Sequence, residues 1–423
     1  MQVFLSLTIG LLLLLLLDRY AYAGFRPLIA SVPQQGRRRV WRGLYLSSTA
    51  LMLGAFLFGM IAFLQRDSDL YRPVTYAFAI LVLTFVPKLL LLILWLSEDV
   101  VRGSIGLGRW VARMVGGQKA GTEKPPLVPS RRRFLGQAGV LVGGSPFLSI
   151  LYGITRGKYD FRVRKLTLDL PNLPEAFDGF RLLQLSDIHS GSFDDAEAVA
   201  RGVALAQAQG ADLIVFTGDL VNNIADEIEP WVETFAQLSA PFGVYSTTGN
   251  HDYGEYSSWP SEEAKKANFQ RLLAAHGRMG WRLLMNEHVK LEKDGQSIDL
   301  AGVENWGLPP FPQAGDLNRA LDGAESPFRI LLSHDPSHWD EQVRQHPAGV
   351  DLTLSGHTHG MQFGVEIPGW KWSPVKYRYP RWAGLYEEAG RYLYVNRGFG
   401  FIGFPGRVGI WPEITVLTLR RKA

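Results

Sequence analysis

The hydrophobic pattern divides the chain in two. Up to about residue 155, long apolar runs dominate; beyond residue 160, apolar residues come in short bursts between polar and glycine-rich stretches. "LYLSSTALMLGAFLFGMIAFL" (44–64) runs 21 residues without a charge, enough to cross a bilayer as a helix. "VTYAFAILVLTFVPKLLLLILWL" (74–96) is similar, interrupted by Pro87 and Lys88. "VFLSLTIGLLLLLLL" (3–17) is shorter and intensely apolar, and "FLGQAGVLVGGSPFLSILYGI" (134–154) is a weaker fourth. The pattern predicts a membrane region over 1–155 with about four transmembrane helices, near 2–17, 44–64, 74–96 and 134–154. Soluble cores rarely use uncharged runs this long.

From about residue 160, apolar strands alternate with helical patterns, which predicts an α/β domain over 160–423. "FRLLQLSDIHSGSF" reads as a buried strand running into a loop at Asp187, and "DDAEAVARGVALAQAQG" as a helix stopped by Gly210. Four more strands follow the same plan. "ADLIVFTGDLVNN" runs into Asp219, "PFGVYSTTGNHDYG" into Asn250 and His251, "FRILLSHDP" into His334, and "VDLTLSGHTHG" into His357 and His359. Any one of these residues alone would more often be a turn aspartate or a satisfied histidine. Together they place polar residues of metal-ligand type beyond the carboxyl ends of five strands, where open α/β sheets build their sites.

Composition and charge refine this picture. The 423 residues include no cysteine, so disulfides and thiolate metal sites are excluded. Any metal must be held by His, Asp, Glu, Asn or backbone. The net charge of +4 is mild, and the basic residues cluster beside apolar segments, which argues against nucleic acid as a partner. Their placement orients the helices. "FRPLIASVPQQGRRRVWR" and the stretch from Arg102 to Arg133 are basic, whereas "QRDSDLYR" is balanced. The first and third connections are therefore expected in the cytoplasm. Everything after about residue 155 is then expected outside a bacterial cytoplasmic membrane. "AYAG" (21–24) looks like a signal-peptidase site, but no basic region precedes the apolar run and Asp18 and Arg19 follow it, so a retained helix is favoured over cleavage. Lys88 is expected to snorkel toward the cytoplasmic interface. "SRRRFLGQAGV" (130–140) resembles a twin-arginine export signal through Arg131, Arg132, Phe134 and Leu135, with Gly136 where the pattern often has Lys. That resemblance implies export machinery that carries the following domain across already folded. An ordinary positive-inside flank would use the same arginines.

Asp187, His189, Asp219, Asn250, His334, His357 and His359 offer seven oxygen and nitrogen donors, too many for one closed tetrahedral ion. They suit two adjacent ions sharing a carboxylate. Two ions about 3.5–4 Å apart can clamp the attacking and leaving oxygens of phosphoryl transfer and deprotonate a water between them. Divalent Mn, Fe, Zn or Co fits this donor set. The elements DxH (187–189), GD (218–219), GNHD (249–252), a lone His after a strand (334) and GHxH (356–359) occur in an order that resembles the calcineurin-like metallophosphoesterase superfamily, over about residues 165 to 420. With the N-terminal anchor and the terminal "NRGFGFIGFPGR…PEITVLTL", the chain looks like the bacterial membrane-associated phosphodiesterase branch. The resemblance implies two mixed β-sheets packed together and flanked by helices, an α/β/β/α sandwich. It implies Asp187, His189 and His359 around one ion, Asn250, His334 and His357 around the other, and Asp219 bridging. It also implies His251 as proton donor to the leaving oxygen or stabiliser of the phosphoryl charge, with Asp252 orienting its ring.

Substrate contacts are less legible. "GWKWSPVKYRYPRWAGLY" (369–386) interleaves aromatic and basic residues, as a lid at a lipid headgroup surface or a twisted surface hairpin would. Arg397 and Arg407 are candidates to pair a phosphate oxygen, against ordinary turn or surface roles. Glu304 and Asn305 are candidate cleft residues, while His276, His288, His338 and His346 read as surface or structural. The whole implies a membrane-anchored phosphoesterase with two metal ions, hydrolysing phosphodiester or pyrophosphate bonds of a lipid-linked or envelope substrate by in-line attack of a bridging hydroxide. A protein or monoester phosphatase is the enzymatic rival. A non-catalytic membrane scaffold or sensor that kept the fold is the other, and it should have lost ligands.

Overall fold

The computed structural model describes residues 2–65, 71–116 and 129–422, and the chain forms two units, Met1–Tyr152 and Gly153–Ala423. The first is built from helices α1 (Gln2–Ser31), α2 (Gln35–Gln65), α3 (Tyr71–Gly116) and α4 (Pro129–Thr155), the last running on into the second unit. Among the described residues, three stretches are long and apolar enough to cross a membrane: Leu7–Ser31, Gln35–Ala62 and Arg72–Ala112. Among the described residues, α4 adds a shorter apolar stretch, Leu141–Thr155, within the expected fourth span. Residues 66–70, within the balanced connection, lie outside the described residues, as do the side chains of Arg131 and Arg132.

α1 continues through Asp18 and through the "AYAG" stretch without a break. The reason lies in α3. Lys88 is buried, with Nζ 2.6 Å from Asp18 Oδ1 and 2.9 Å from Thr49 Oγ1. The Thr49 hydroxyl donates to Asp18 Oδ1 at 2.8 Å, and the Tyr45 hydroxyl donates to the Asp18 carbonyl at 2.9 Å. The expected snorkelling of Lys88 is thereby corrected: partners on α1 and α2 satisfy the ammonium inside the bundle, so it has no need of the interface.

The second unit carries fourteen strands: β1 (Arg162–Leu170), β2 (Phe180–Leu185), β3 (Leu213–Thr217), β4 (Val244–Thr247), β5 (Arg282–Leu283), β6 (Glu287–Lys293), β7 (Gln296–Gly302), β8 (Arg329–Leu332), β9 (Leu352–Ser355), β10 (Val365–Ile367), β11 (Trp370–Trp372), β12 (Gly384–Glu388), β13 (Arg391–Val395) and β14 (Glu413–Arg421). One six-stranded sheet has the order β1-β14-β2-β3-β4-β5, the other β12-β13-β9-β8-β7-β6, and β10 and β11 form a separate ribbon. Both large sheets are mixed: β2, β3 and β4 run parallel, as do β7, β8, β9 and β13, while β14 is antiparallel to β2 and β6 to β7.

Period-2 alternation explains how the layers form. On β2 and β3, Phe180, Leu182, Leu213 and Val215 face the second sheet, where they meet Leu300, Ile330, Leu332, Leu352 and Leu354. Their neighbours Leu183, Leu185, Ile214 and Phe216 point the other way, onto Val199 and Val203 of helix α5 (Ala196–Gln207). Helices also cover the far side of the second sheet, where Trp339 and Leu317 join Ala301 and Leu331. Strands buried on both faces read as continuous apolar runs, the signal used above. Near the carboxyl ends the two sheets are tied by Gln184, whose Nε2 donates to Thr217 Oγ1 at 3.0 Å and to the Ser355 carbonyl at 2.9 Å.

Candidate metal centre

β2, β3, β4, β8 and β9 each end within three residues of a candidate ligand, and the loops bring these ligands together. Asp187, His189 and His359 form one buried group of donor atoms, all within 4.8 Å of one another; Asp219, His334 and His357 form a second. Asn250 joins the second through Oδ1, 2.8 Å from His357 Nδ1. The backbone is bent to do this. Asp187, His189, Asp219, His357 and His359 all have positive φ, from 47° to 69°. A non-glycine residue held there costs about 1–3 kcal/mol and persists where the surroundings enforce it. Glycines make room for the turns. A Cβ on Gly356 would lie 2.2 Å from Asp187 Oδ2, and one on Gly249 would lie 2.2 Å from Asp219 Oδ1.

Outer contacts orient the rings. Nδ1 of His189 lies 3.2 Å from the Val221 carbonyl and Nδ1 of His334 2.7 Å from the Thr217 carbonyl, so each ring donates outward and turns Nε2 inward. His357 is reversed: its Nε2 meets the Tyr379 hydroxyl at 2.7 Å, with Asp335 Oδ2 at 3.5 Å, leaving Nδ1 for the centre. Burial would raise the Asp187 and Asp219 carboxyls, but the surrounding histidines override it and hold both below the usual range. Burial would likewise lower His334, yet the Asp219 carboxylate lifts it to about 10. His334 Nε2 faces Asp219 Oδ2 at 3.0 Å without the geometry of a hydrogen bond, and Nε2 of His189 and of His359 face each other at 2.9 Å. Imidazole and carboxylate donors converging with unsatisfied lone pairs fit divalent cations.

Residues 1–158 match the family described as "Probable Calcineurin-like phosphoesterase, transmembrane domain", and residues 180–361 match "Calcineurin-like phosphoesterase". The chain is 32% identical to the uncharacterized metallophosphoesterase YkuE of Bacillus subtilis, over 69% of this chain and 98% of that one. The chain belongs to the calcineurin-like metallophosphoesterase family. A zebrafish (Danio rerio) "Transmembrane protein with metallophosphoesterase domain" is 31% identical over 64% of this chain and 60% of its own length. YkoQ of B. subtilis, also called an uncharacterized metallophosphoesterase, is 26% identical over 64% of this chain and 94% of that one. This is thus a membrane-associated metallophosphoesterase with two candidate metal-binding groups.

The remaining expected site residues of this metallophosphoesterase sort differently. The main-chain N–H of His251 donates to Asp219 Oδ1 at 2.8 Å, and its ring packs on Tyr256 and edge-on to His189. Its Nδ1 lies 2.7 Å from the Asn222 carbonyl, so that carbonyl orients the ring and not Asp252. The Asp252 carboxylate instead accepts from the backbone of Asp219, Leu220 and Gly249 at 2.8–3.0 Å, joining two ligand loops. Burial and the Asp219 charge push its carboxyl up to about 7. Arg397 is buried and paired with Glu413 at 2.5 Å and Glu366 at 2.8 Å, so the expected phosphate contact is corrected to an internal ion pair. Arg407 is also buried: Nη2 lies 3.1 Å from His359 Nδ1 and Nε donates to the Gly400 carbonyl at 2.9 Å, so it holds a ligand ring instead of reaching for substrate. Glu304 accepts from Asn286 at 2.9 Å, and Asn305 donates to the Pro312 carbonyl at 2.8 Å, so both brace loops. Sequence reasoning missed Tyr256, whose hydroxyl accepts from Asn250 Nδ2 at 2.9 Å, as well as Tyr379 and Asp335. The "HDP" that supplies His334 carries Asp335, but nothing in the string tells that it faces His357.

Proposed function

We propose that the chain is a membrane-anchored phosphoesterase that uses two divalent ions to cleave a phosphodiester or pyrophosphate bond of a lipid-linked or envelope substrate. The reading rests on one atom above all. Asp219 Oδ2 lies 3.5 Å from His189 Nε2 of one group and 3.0 Å from His334 Nε2 of the other, so a single carboxylate oxygen stands between both donor sets. Asp187, His189 and His359 would hold one ion, Asn250, His334 and His357 the other, with Asp219 shared. When bound, such ions supply Lewis acidity and make a coordinated water acidic near neutral pH. The protein's own part is proton traffic and orientation. The His251 ring donates Nδ1–H to the Asn222 carbonyl, which leaves Nε2 to serve the leaving oxygen. Tyr256, against the face of that ring and bonded to Asn250, fixes the approach side. The apolar helices support a lipid-linked or envelope substrate, and the basic first and third connections support an extracytoplasmic catalytic unit, reached by the twin-arginine route or by ordinary insertion.

The test is hydrolysis of chromogenic phosphodiester and monoester by the full chain in detergent, with Mn added or chelated. Metal-dependent diester cleavage should exceed monoester cleavage. His251→Ala should lower turnover about 10²–10⁴-fold while keeping metal content. Turnover indifferent to both chelation and His251→Ala would overturn the proposal.

A further inference from the structure

We infer that the β10–β11 hairpin is a membrane-docking element whose apolar face enters the headgroup region of an anionic bilayer. In an antiparallel ribbon, directly opposed residues share a face. The register pairs Val365 with Trp372, Glu366 with Lys371, and Ile367 with Trp370. Val365, Ile367, Trp370 and Trp372 therefore make one face, and Glu366 and Lys371 the other. The polar face is the one turned toward the domain. Glu366 accepts from Arg164 at 2.6 Å and from Arg397 at 2.8 Å, and Lys371 Nζ donates to the Ala383 carbonyl. Three of the four apolar residues are left outward: Val365 is 45% exposed, Ile367 56% and Trp370 53%, while Trp372 is half-buried at the base of the ribbon. Soluble surfaces do not usually arrange a ribbon this way round, and the ion pairs keep it from turning over.

The surroundings say what covers it. The base of the ribbon is bonded to a segment that touches the end of α4: Gly364 N donates to the Val408 carbonyl at 2.9 Å, and Arg407 N donates to the Gly153 carbonyl at 3.2 Å. A Cβ on Gly153 would come within 2.5 Å of the Arg407 carbonyl oxygen. Gly153 lies in the apolar Leu141–Thr155 stretch. The base of the ribbon is thus fastened, through Arg407, to residues that end the apolar Leu141–Thr155 stretch. Lys376, Tyr377 and Arg378, all exposed, come after the three residues that follow the ribbon, a pairing of cations with an aromatic that suits anionic headgroups. The broader lid expected over 369–386 narrows accordingly, because Trp382 and Tyr379 are buried with Val375, Ala383 and Ile410.

Docking would hold the metal centre at headgroup level. The loop of His357 and His359 is fastened to the same extension, with Thr358 Oγ1 donating to the Trp382 carbonyl and Ser373 Oγ to the Gly360 carbonyl, each at 2.7 Å. The native chain has no cysteine, so Ile367→Cys in the full chain takes a single nitroxide. Reconstituted in phosphatidylethanolamine–phosphatidylglycerol vesicles, this label should collide with oxygen several-fold more than with a water-soluble nickel complex. A label at Lys290→Cys, exposed on β6, should show the reverse, and Trp370→Cys provides a second position on the ribbon. Labels at 367 and 370 that behave like the one at 290 would overturn the inference. So would dipolar broadening between labels, which would assign the face to a second copy of the chain. No turnover is read, so the outcome is independent of the phosphoesterase proposal.

Discussion

Two buried charged clusters in this chain differ in whether they are complete. Between α1, α2 and α3, Lys88 has Asp18 and Thr49, Thr49 donates to Asp18, and Tyr45 closes the Asp18 carbonyl. At the metal centre, His334 Nε2 faces Asp219 Oδ2 at 3.0 Å without the geometry of a hydrogen bond, and two imidazole Nε2 atoms confront each other. The helical cluster sits on unbroken helix. The other sits on five ligand residues with positive φ. A complete buried network fixes the packing of what surrounds it; converging donor atoms held at a cost in backbone strain are arranged to hold a cation. Burial and charge alone do not separate the two. Satisfaction does.

The largest expected effects fall on the incomplete cluster. Asp219→Asn removes the oxygen between the two donor groups, so metal stoichiometry by plasma emission should fall below two per chain and diester turnover should vanish. Loading with Mn should raise the unfolding free energy of the catalytic unit by about 4 kcal/mol at a thousandfold excess over Kd. The helical unit should not respond. If both units gained stability together, the contrast between a closed and an open cluster would be lost.

The complete cluster should answer to the opposite experiment. Lys88→Met strands the Asp18 carboxylate in an apolar bundle, and breaking a buried pair this way costs about 3–5 kcal/mol. The double variant Asp18→Leu/Lys88→Met removes both charges and should recover most of that loss. SDS titration of the full chain, followed by circular dichroism, reads both. A double variant no more stable than the single one would mean that the pair does more than hold helices. Smaller again is Asp335→Asn, which weakens the outer hold on His357; metal affinity should drop about 10–100-fold while the chain stays folded.

The centre was readable because its ligands follow strands buried on both faces. β3 and β8 appear in the sequence as apolar runs and β2 and β9 as largely apolar ones, and the ligands stand two residues past their carboxyl ends. What surrounds the ligands was not readable. Tyr379 reaches His357 from a segment that gives no sign of its direction, and Arg397, expected to meet phosphate, turns inward because Glu413 of β14 lies 2.5 Å away. The Asp18–Lys88 pair joins residues 70 positions apart on different helices. Such contacts depend on tertiary packing, which periodicity does not encode. Strand insertion is similar: β14 is placed between β1 and β2 by sheet assembly, not by any local signal.

His276 tests how far the comparison extends. It is buried, its Nδ1 meets Ser246 Oγ at 2.9 Å, and its Nε2 has no partner, so by satisfaction alone it resembles His334. The difference is convergence: His276 belongs to neither group of donor atoms. An isolated orphan should act on stability and not on metal. Burial pushes its pKa from 6.5 down to about 4. As pH falls, the unfolded chain takes up the proton first. Stability is therefore full above pH 6.5 and drains away toward pH 4, by about 3 kcal/mol at roughly 1.4 kcal/mol per pKa unit. His338, also held at about 4 by burial, adds a similar slope. His276→Gln should then lose about half of the acid sensitivity these two supply, in denaturant titrations between pH 7 and 4, with metal content unchanged. An undiminished slope would mean that His276 is protonated within the fold. A loss of bound metal would show that an orphaned buried nitrogen does not need convergent neighbours to serve the centre.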